Sequence, residues 1–345
     1  MKSKRGLENK FFLLIPVALL ILIGVLAYVN LFSKPGFNCG DETSYGECSV
    51  NKPYYCQKGN IVENSLDCGC PEGKEINGSS CTSDFNQNPK TINLKYRLDG
   101  TEKSISFVVY EDAYQYFGKL SRQIHYSGNE TPSREDFKIK IINQSVQREL
   151  LLSLVVEIQN TADNKEDQAR IATSIVQNIL WGESNKTTRF GSQNIAYTRY
   201  PYEVLYEMEG LCGEKSELLV FLLKELGFET TIFYNHAENH ESVGIKCSSN
   251  DWKDTGYCFV ETSGPAIISD NTLAYSGGVK LQSMPEVLKI SEGKSLGRIS
   301  EQGDAKAMMK IRKSIEETGK LNFYYQWKYN KLKEKYGLDG EYQIG

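Results

Sequence analysis

The chain has 345 residues, a formal net charge of -4 and a pI near 5.7. That length allows two or three folded units with at least one sizeable hydrophobic core. The slight acidic excess gives no reason to expect nucleic acid as a partner, and a composition with 40% hydrophobic residues shows no sign of bulk disorder.

The N-terminal segment combines a basic start with a long apolar run. Residues 1–10 are predominantly basic, and residues 11–32 are uncharged and mostly apolar. A run of this length can cross a bilayer as one helix, and the basic flank favours the cytoplasmic side. We therefore predict a single-pass anchor at 11–32, with the rest of the chain on the extracytoplasmic side of the cell membrane. A cleaved signal peptide is the alternative, but its apolar run is usually shorter, about 7–15 residues, and no small-residue cleavage site is evident.

Residues 39–81 are rich in cysteine and poor in aliphatic side chains. They hold six of the nine cysteines. Because so short a segment cannot build its own core, we predict a small module stapled by three disulfides, whose pairing the sequence leaves open. Zinc is the alternative, but the segment contains no histidine and no Cys-x-x-Cys pair. The expected role is a spacer or a small binding unit, and the polar residues 82–91 are expected to form a linker.

The region 92–300, which we expect to form one domain, begins with a hairpin and two helices. Apolar side chains alternate on both sides of Asp99-Gly100, which predicts a β-hairpin. Apolar residues then recur with helical spacing over about 144–159, and again from Asp163, with Glu166 as its capping-box partner. These apolar stripes predict core rather than a functional site.

One cysteine stands in a stretch unlike the rest of the chain. Residues 210–216 read GLCGEKS and run directly into the apolar sequence ELLVFLLKELG, which ends at Gly227. We predict a buried central helix with Cys212 at or just before its N-terminus. The unpaired N–H groups and the dipole at a helix N-terminus favour a reactive thiolate. An ordinary buried thiol is the alternative.

The next part of the chain has the alternation typical of strands. Because side chains alternate along a strand, residues on one face can be identified by parity. His240 and Glu261 then share one face of a strand pair, whereas Cys247 and Cys258 share the opposite face and can form a disulfide. Cys212 is left without an obvious partner, which in an exported protein indicates intermolecular pairing or a free reactive thiol. The strands are predicted at 228–234, 242–247 and 256–262.

Three histidines are the candidates for a general base. His125 lies in a distant polar region, whereas His236 and His240 precede the strand pair. A thiol nucleophile requires an imidazole that takes its proton and an acid that orients the imidazole, and His240 lies where both demands can be met. A zinc site formed by Cys212, His236 and His240 is an alternative, although a strand does not align residues i and i+4 as a helix does. We expect no metal and no cofactor.

Four short segments carry a resemblance to a known family. They are RYPYEVL at 199–205, GLCGE at 210–214, NHESVGI at 239–245 and YCFVETS at 257–263. In this order they resemble the blocks of transglutaminase-like domains from archaea and bacteria, which typically read Tyr-Pro-x-Glu-x-Leu, Gly-Asp-Cys-Glu-Asp, His-x-x-Val-Gly-Val and Tyr-x-Glu-Thr-Thr. The likeness covers roughly residues 142–265.

The resemblance implies a papain-like α+β fold, with the cysteine helix packed on an antiparallel sheet, and a Cys–His–acid triad. Carried over by position, the nucleophile is Cys212, the base is His240 and the orienting acid is Glu261. Leu211 stands where the family commonly has Asp, and many relatives have Asp at the position of Glu261.

The implied chemistry is attack of a thiolate on an amide carbonyl, with a thioester that is released to an amine or to water. One oxyanion donor should be the backbone N–H of Cys212, with Gln193 or Tyr200 as candidates for a second. We therefore expect a membrane-anchored, extracytoplasmic acyltransferase or hydrolase whose partners are protein or peptide substrates. The alternatives are a catalytically inactive binding or scaffold protein of the cell envelope, and a structural envelope component whose cysteine-rich module does the binding.

The last part of the chain, 301–345, is expected to add two helices at about 305–318 and 321–336. Packing on the preceding domain, binding a partner and contacting a membrane surface are the three roles considered for them.

Overall fold

The computed structural model describes residues 38–190, 192–249, 251–297 and 299–338, together with Tyr342 and Ile344. The basic segment predicted at 1–10 and the anchor predicted at 11–32 lie outside these residues. Within the described ranges, none of the helices combines the length and the apolar character that crossing a bilayer requires.

The described part of the chain is a mixture of helices and short, mainly antiparallel sheets, so the α+β class predicted from the sequence is confirmed at this level. The helices are α1 (Ser65–Cys68), α2 (Glu111–Lys119), α3 (Arg134–Ile142), α4 (Ser145–Thr161), α5 (Lys165–Gln177), α6 (Pro201–Glu207), α7 (Cys212–Glu225), α8 (Glu301–Thr318) and α9 (Phe323–Tyr336). The strands are β1 (Tyr54–Gln57), β2 (Asn60–Glu63), β3 (Ile76–Asn77), β4 (Ser80–Cys81), β5 (Pro89–Leu98), β6 (Thr101–Tyr110), β7 (Leu180–Trp181), β8 (Thr187–Phe190), β9 (Gln193–Ala196), β10 (Glu209–Gly210), β11 (Thr230–Asn235), β12 (His240–Lys246), β13 (Tyr257–Val260) and β14 (Glu286–Ser291).

The cysteine-rich module is built from the hairpins β1–β2 and β3–β4 around three crosslinks. The predicted three disulfides are confirmed, with the pairing Cys39–Cys56, Cys48–Cys68 and Cys70–Cys81. The module borrows its apolar support from the rest of the fold, since Ile61 is buried in the main core. The backbone of Ile61 also exchanges two hydrogen bonds with the Asn160 side chain, at 2.7 and 2.9 Å. The module is therefore docked on α4.

The hairpin predicted around Asp99-Gly100 is present as β5 and β6. It begins at Pro89, inside the segment expected to be a linker. Helix α5 packs on β5 and starts later than predicted, because the Asn164 side chain, and not Asp163, accepts the N–H of Asp167 and caps the helix. Glu166, predicted to be the capping partner, instead accepts hydrogen bonds from Ser300.

A four-stranded antiparallel sheet, ordered β13-β12-β11-β14, carries the second half of the fold. The predicted parity is confirmed, because Gly244 pairs with Phe259 and Ile245 pairs with Cys258. The Cys247–Cys258 disulfide closes on the opposite face. Only glycine fits at 244, since a Cβ there would lie 2.5 Å from a methyl group of Thr231.

Helix α7 lies at the centre of the fold and packs on β11 and β12. Its apolar side chains cover most of the circumference, which predicts a buried helix. That prediction is confirmed: 0% of the surface is exposed at Leu218, Leu219, Val220, Phe221, Leu222 and Leu223.

Helices α8 and α9 pack against each other, and their bounds differ from the prediction by only a few residues. Met308, Ile311 and Leu332 form a small buried cluster with Ile267 from the loop after β13. Asp304 accepts hydrogen bonds from three side chains of α9, which fixes the pair in register. Of the three roles considered, packing on the domain is the one the described contacts bear out.

Candidate active site

Cys212 is the first residue of α7, and among the described residues it is the one cysteine outside a disulfide. Only 6% of its surface is exposed. The backbone N–H groups of a first helical turn have no intrahelical acceptor, so a negative charge at this position meets several N–H dipoles. The thiol therefore lies where a helix favours an anion.

A buried charge network fixes the segment that leads into this helix. Glu214, in the first turn of α7, accepts the N–H of Leu211 at 2.9 Å and the N–H of Arg199 at 2.7 Å. The Arg199 guanidinium, which is almost fully buried, also binds Glu214 and reaches Glu207 and Glu209. Arg199 therefore ties α6, β10 and the start of α7 together, and this determines where Cys212 is held.

His240 and Glu261 form a buried pair next to this helix. His240 is the first residue of β12, and its Nε2 lies 3.0 Å from Glu261 Oε2. Neither side chain is exposed. Glu261 lies one residue beyond β13, which pairs with β12, so the shared face predicted from strand parity does bring the two groups together.

The Glu261 carboxylate is saturated with hydrogen-bond donors. Its Oε1 accepts the N–H of Thr262 at 2.8 Å, and the N–H and hydroxyl of Ser263 at 2.8 and 2.7 Å. Its Oε2 accepts from His240 and from the Tyr275 hydroxyl. Burial alone would raise the pKa of Glu261, but the positive charge of His240 and these hydrogen bonds outweigh it and lower the pKa to about 2. The carboxylate stays ionised and holds the imidazole in one orientation.

The remaining imidazole nitrogen, Nδ1, is turned away from Glu261. It makes no hydrogen bond of regular geometry within the described residues, although it is buried. Burial disfavours the imidazolium, but the charge of Glu261 and an interaction with the Cys212 side chain outweigh it and hold the pKa of His240 above its usual value. The structure thus brings together Cys212, His240 and Glu261, the three residues predicted as a site.

Tyr275 and Lys215 belong to this site but were missed at the sequence level. The Tyr275 ring lies 4.8 Å from the His240 ring, in a loop without periodicity. Lys215 is completely buried in α7 and donates to the carbonyl oxygens of Ile179 and Ser263 at 2.7 and 3.2 Å. Burial lowers the pKa of Lys215 to about 7, against the opposing effect of the negative charge of Glu261.

Two residues, Gln193 and Tyr200, were predicted as candidates for a second oxyanion donor. Within the described residues, neither forms a hydrogen bond with Cys212. Gln193 is exposed on the β8–β9 hairpin, and the buried Tyr200 donates its hydroxyl to the Ser121 carbonyl. Trp181 is another candidate donor. It pairs with Gly210, two residues before Cys212, across β7 and β10, and within the described ranges its buried indole N–H has no hydrogen-bond partner.

A cavity of about 490 Å³ opens beside the start of α7. Its wall includes Lys138, which binds Glu217 at 2.7 Å and Glu241 at 2.6 Å. A Cβ on Gly213 would lie 2.6 Å from Glu241, so this cluster touches the residue after Cys212. Burial raises the pKa of Glu217 to about 7, although the charge of Lys138 opposes it. The rest of the lining combines apolar side chains with polar and basic ones: Phe137, Ile141, Ile195 and Ala196, and Arg122, Arg134, Thr188 and Thr198.

The zinc set considered at the sequence level is not assembled. The His236 side chain is 62% exposed and binds Glu286 at 2.8 Å rather than joining Cys212 and His240. The described ranges contain no cluster of three histidine, cysteine or carboxylate side chains arranged to hold a metal ion.

The chain matches no protein-family model, no curated protein and no solved structure. Any functional conclusion therefore rests on the geometry of the site and on the motifs in the sequence.

Proposed function

We propose that this protein is a thiol acyltransferase or hydrolase with a transglutaminase-like triad, in which Cys212 is the nucleophile, His240 the base and Glu261 the orienting acid. Its substrates are amides of proteins or peptides, and the reaction passes through a thioester. The papain-like core of the sequence resemblance is part of this proposal. The packing of the buried helix α7 on the antiparallel sheet β13-β12-β11-β14 supports it.

One observation carries the proposal. The cysteine left outside the disulfides starts a buried helix beside a buried histidine, whose far nitrogen holds a buried carboxylate at 3.0 Å. Complete burial of an imidazole and a carboxylate is unfavourable unless the two groups are paired and hydrogen-bonded, as His240 and Glu261 are here. An inert core thiol would not need such a pair beside it.

The chemistry follows from these positions. His240 takes the proton of Cys212, and the thiolate attacks the carbonyl carbon of an amide. The backbone N–H of Cys212 and the Trp181 indole N–H are the proposed donors to the oxyanion. When the C–N bond breaks, His240 gives its proton to the leaving nitrogen. An amine or water then attacks the thioester, loses its proton to His240 and restores the Cys212 thiolate.

The cavity beside α7 is the proposed approach for the substrate. It reaches the cluster of Lys138, Glu217 and Glu241, which lies against Gly213. The apolar side chains of its lining suit the uncharged part of a peptide side chain, and a peptide seated there lies next to the first turn of α7.

An extracytoplasmic, membrane-anchored location is also part of the proposal. Four disulfides, among nine cysteines that all fall in the described ranges, are typical of proteins in oxidising compartments. The apolar run at 11–32 supports the anchor.

The test is the pH dependence of Cys212 alkylation by iodoacetamide in the full-length protein, mapped by mass spectrometry. We expect rapid alkylation of Cys212 already at pH 6, and loss of that reactivity in His240→Ala. In parallel, a glutamine-containing peptide and hydroxylamine should yield a hydroxamate, and Cys212→Ser should abolish it. Release of ammonia without an added amine would assign hydrolysis.

Slow alkylation of Cys212 at pH 6 in the wild type, unchanged in His240→Ala, would refute the triad. The catalytically inactive binding or scaffold protein would then be the better account. That alternative draws on the same structure, because the docking of the cysteine-rich module on α4 does not depend on a reactive thiol.

A further inference from the structure

The hairpin β5–β6 has one covered edge and one open edge. In an antiparallel pair the backbone groups of successive residues point alternately toward and away from the partner strand. The Arg97 N–H of β5 points away and donates to Ser174 of α5 at 2.9 Å, so the outer edge of β5 is covered. Since Arg97 pairs with Glu102, the residues of β6 that point outward are 102, 104, 106, 108 and 110.

The outward groups of Tyr110 show that this edge can be bound from the side. The Tyr202 hydroxyl lies 2.7 Å from the Tyr110 N and 3.3 Å from its carbonyl oxygen, and so occupies both groups. Ser106 and Val108 precede it on the same edge. Throughout the described structure their outward N–H and C=O groups have no protein partner.

The segment that carries these unpaired groups lines a groove, a cavity of about 760 Å³. One wall is the cysteine-rich module at residues 50–54 and 71–74, the second is α4, and the third includes Ser106 and Val108. The Val50 and Val108 side chains are 96% and 42% exposed, which gives the groove apolar contacts on two sides. A volume of this size is ordinary for a ligand site.

The charges of the groove favour a cation. Lys74 is neutralised by Asp84 and Glu149, and Arg148 by Glu225. Three carboxylates of the lining have no cationic partner among the described side chains. Only one lysine of the lining, Lys52, has no anionic partner among them. These carboxylates belong to Glu63, Glu72 and Glu157.

We propose that the open edge of β6 binds an extended, positively charged peptide segment, which adds to the hairpin as a third strand within this groove. Main-chain hydrogen bonds to Ser106 and Val108 supply the affinity, and the unpaired carboxylates select lysine or arginine side chains. The site is separate from Cys212 and does not require a reactive thiol. It therefore serves as a docking site for a protein partner or for a remote part of a protein substrate.

The test uses the purified full-length chain and a fluorescein-labelled, nine-residue peptide of alternating lysine and valine, with anisotropy as the readout. We expect saturable binding that is lost when alternate backbone nitrogens of the peptide are methylated. Replacing its lysines by glutamates should weaken binding more than tenfold.

The protein variants separate the edge from the groove walls. Val108→Pro removes an outward N–H without touching a hydrogen bond to β5, and should weaken binding about tenfold. Ser104→Pro makes the same change on the same edge outside the groove, and should weaken binding less than Val108→Pro does. Glu72→Gln with Glu157→Gln should weaken binding about threefold.

Hydrogen exchange on the wild type makes the test independent of how the proline variants fold. Peptide binding should slow exchange at the amides of Ser106 and Val108. Three results would each overturn the proposal: absence of saturable binding, an affinity of Val108→Pro equal to that of the wild type, or slower hydrogen exchange only in other segments. Because Cys212→Ser should bind the peptide normally, failure of this proposal is distinguishable from failure of the proposed function.

Discussion

Glu261→Gln is the sharpest test of the charge relationships at the site. The amide oxygen of glutamine can still accept the three hydrogen bonds from Thr262 and Ser263. Its NH2 group then faces His240 and the Tyr275 hydroxyl, which both donate in the wild type. A hydrogen bond to a charged group contributes about 1.5–3 kcal/mol. Losing the one that supports the imidazolium therefore lowers the pKa of His240 by about one to two units.

We expect the variant to hold less Cys212 thiolate in the pH range in which His240 is charged in the wild type. At pH 6 we expect Glu261→Gln to alkylate at Cys212 about ten- to a hundredfold more slowly than the wild type, and above pH 9 at a similar rate. Tyr275→Phe removes one donor and leaves the charge, so its effect should be smaller.

Glu286→Gln is the matched control, since it changes the carboxylate of an exposed His–Glu pair, that of His236. It should leave the alkylation profile of Cys212 unchanged. Circular dichroism must show that Glu261→Gln is folded at both pH values. If the folded variant keeps the low-pH alkylation of the wild type, the carboxylate does not support the imidazolium and the reasoning fails.

Three further predictions concern stability. Lys215→Met leaves two buried carbonyl oxygens without a donor, so the free energy of unfolding measured in urea should fall by about 2–5 kcal/mol. The control Lys313→Met, at an exposed lysine, should change that free energy little. An equal loss of stability in the two variants would contradict the structural role of Lys215. Replacing Cys247 and Cys258 by alanine opens a loop of sequence separation 11 and should lower the free energy of unfolding by about 3 kcal/mol; an unchanged denaturation midpoint would argue against this disulfide. Burial raises the pKa of Glu217 from 4.5 to about 7, so the stability that it contributes is present below pH 4.5 and lost as the pH rises toward 7. Glu217→Gln should reduce that loss between pH 4.5 and 7, and an identical slope in unfolding experiments would refute the assignment.

The central part of the site could be predicted because it follows simple periodic rules. Cys212 was predicted at a helix start from the apolar run behind it, and α7 begins there. Strand parity placed His240 and Glu261 on one face and Cys247 with Cys258 on the other, and the register of β12 and β13 confirms that arrangement. In each case the prediction depended only on neighbours along one element.

The parts that the sequence did not reveal come from segments without a period. Tyr275 lies in a loop, and nothing in the residues around it signals that its hydroxyl will meet Glu261. Lys215 looks like a solvated residue on a helix, but the carbonyl oxygens of two distant segments bury it. The oxyanion candidates Gln193 and Tyr200 were chosen by position alone, and tertiary packing placed them elsewhere.

Helix boundaries were predicted less well than helix existence. Asp163 and Asn164 are both good capping residues, and sequence alone gives no way to choose between them. Helices α2 and α3 were not predicted, because each has only nine residues and α3 has a weak amphipathic pattern. They acquire their burial from α6, α7 and β14.

The four disulfides have a consequence for how the chain matures. Each one joins cysteines that are close in sequence, with separations of 17, 20, 11 and 11 residues. With the basic N-terminus held in the cytoplasm, as proposed, the chain after the anchor would emerge in sequence order, so that both members of the first three pairs would emerge before Cys212. When the Cys212 thiol reaches an oxidising compartment, six of the eight other cysteines can already be paired in disulfides. At the proposed location, this order of emergence and the burial of Cys212 in the finished fold would together keep that cysteine reduced while the other eight are oxidised.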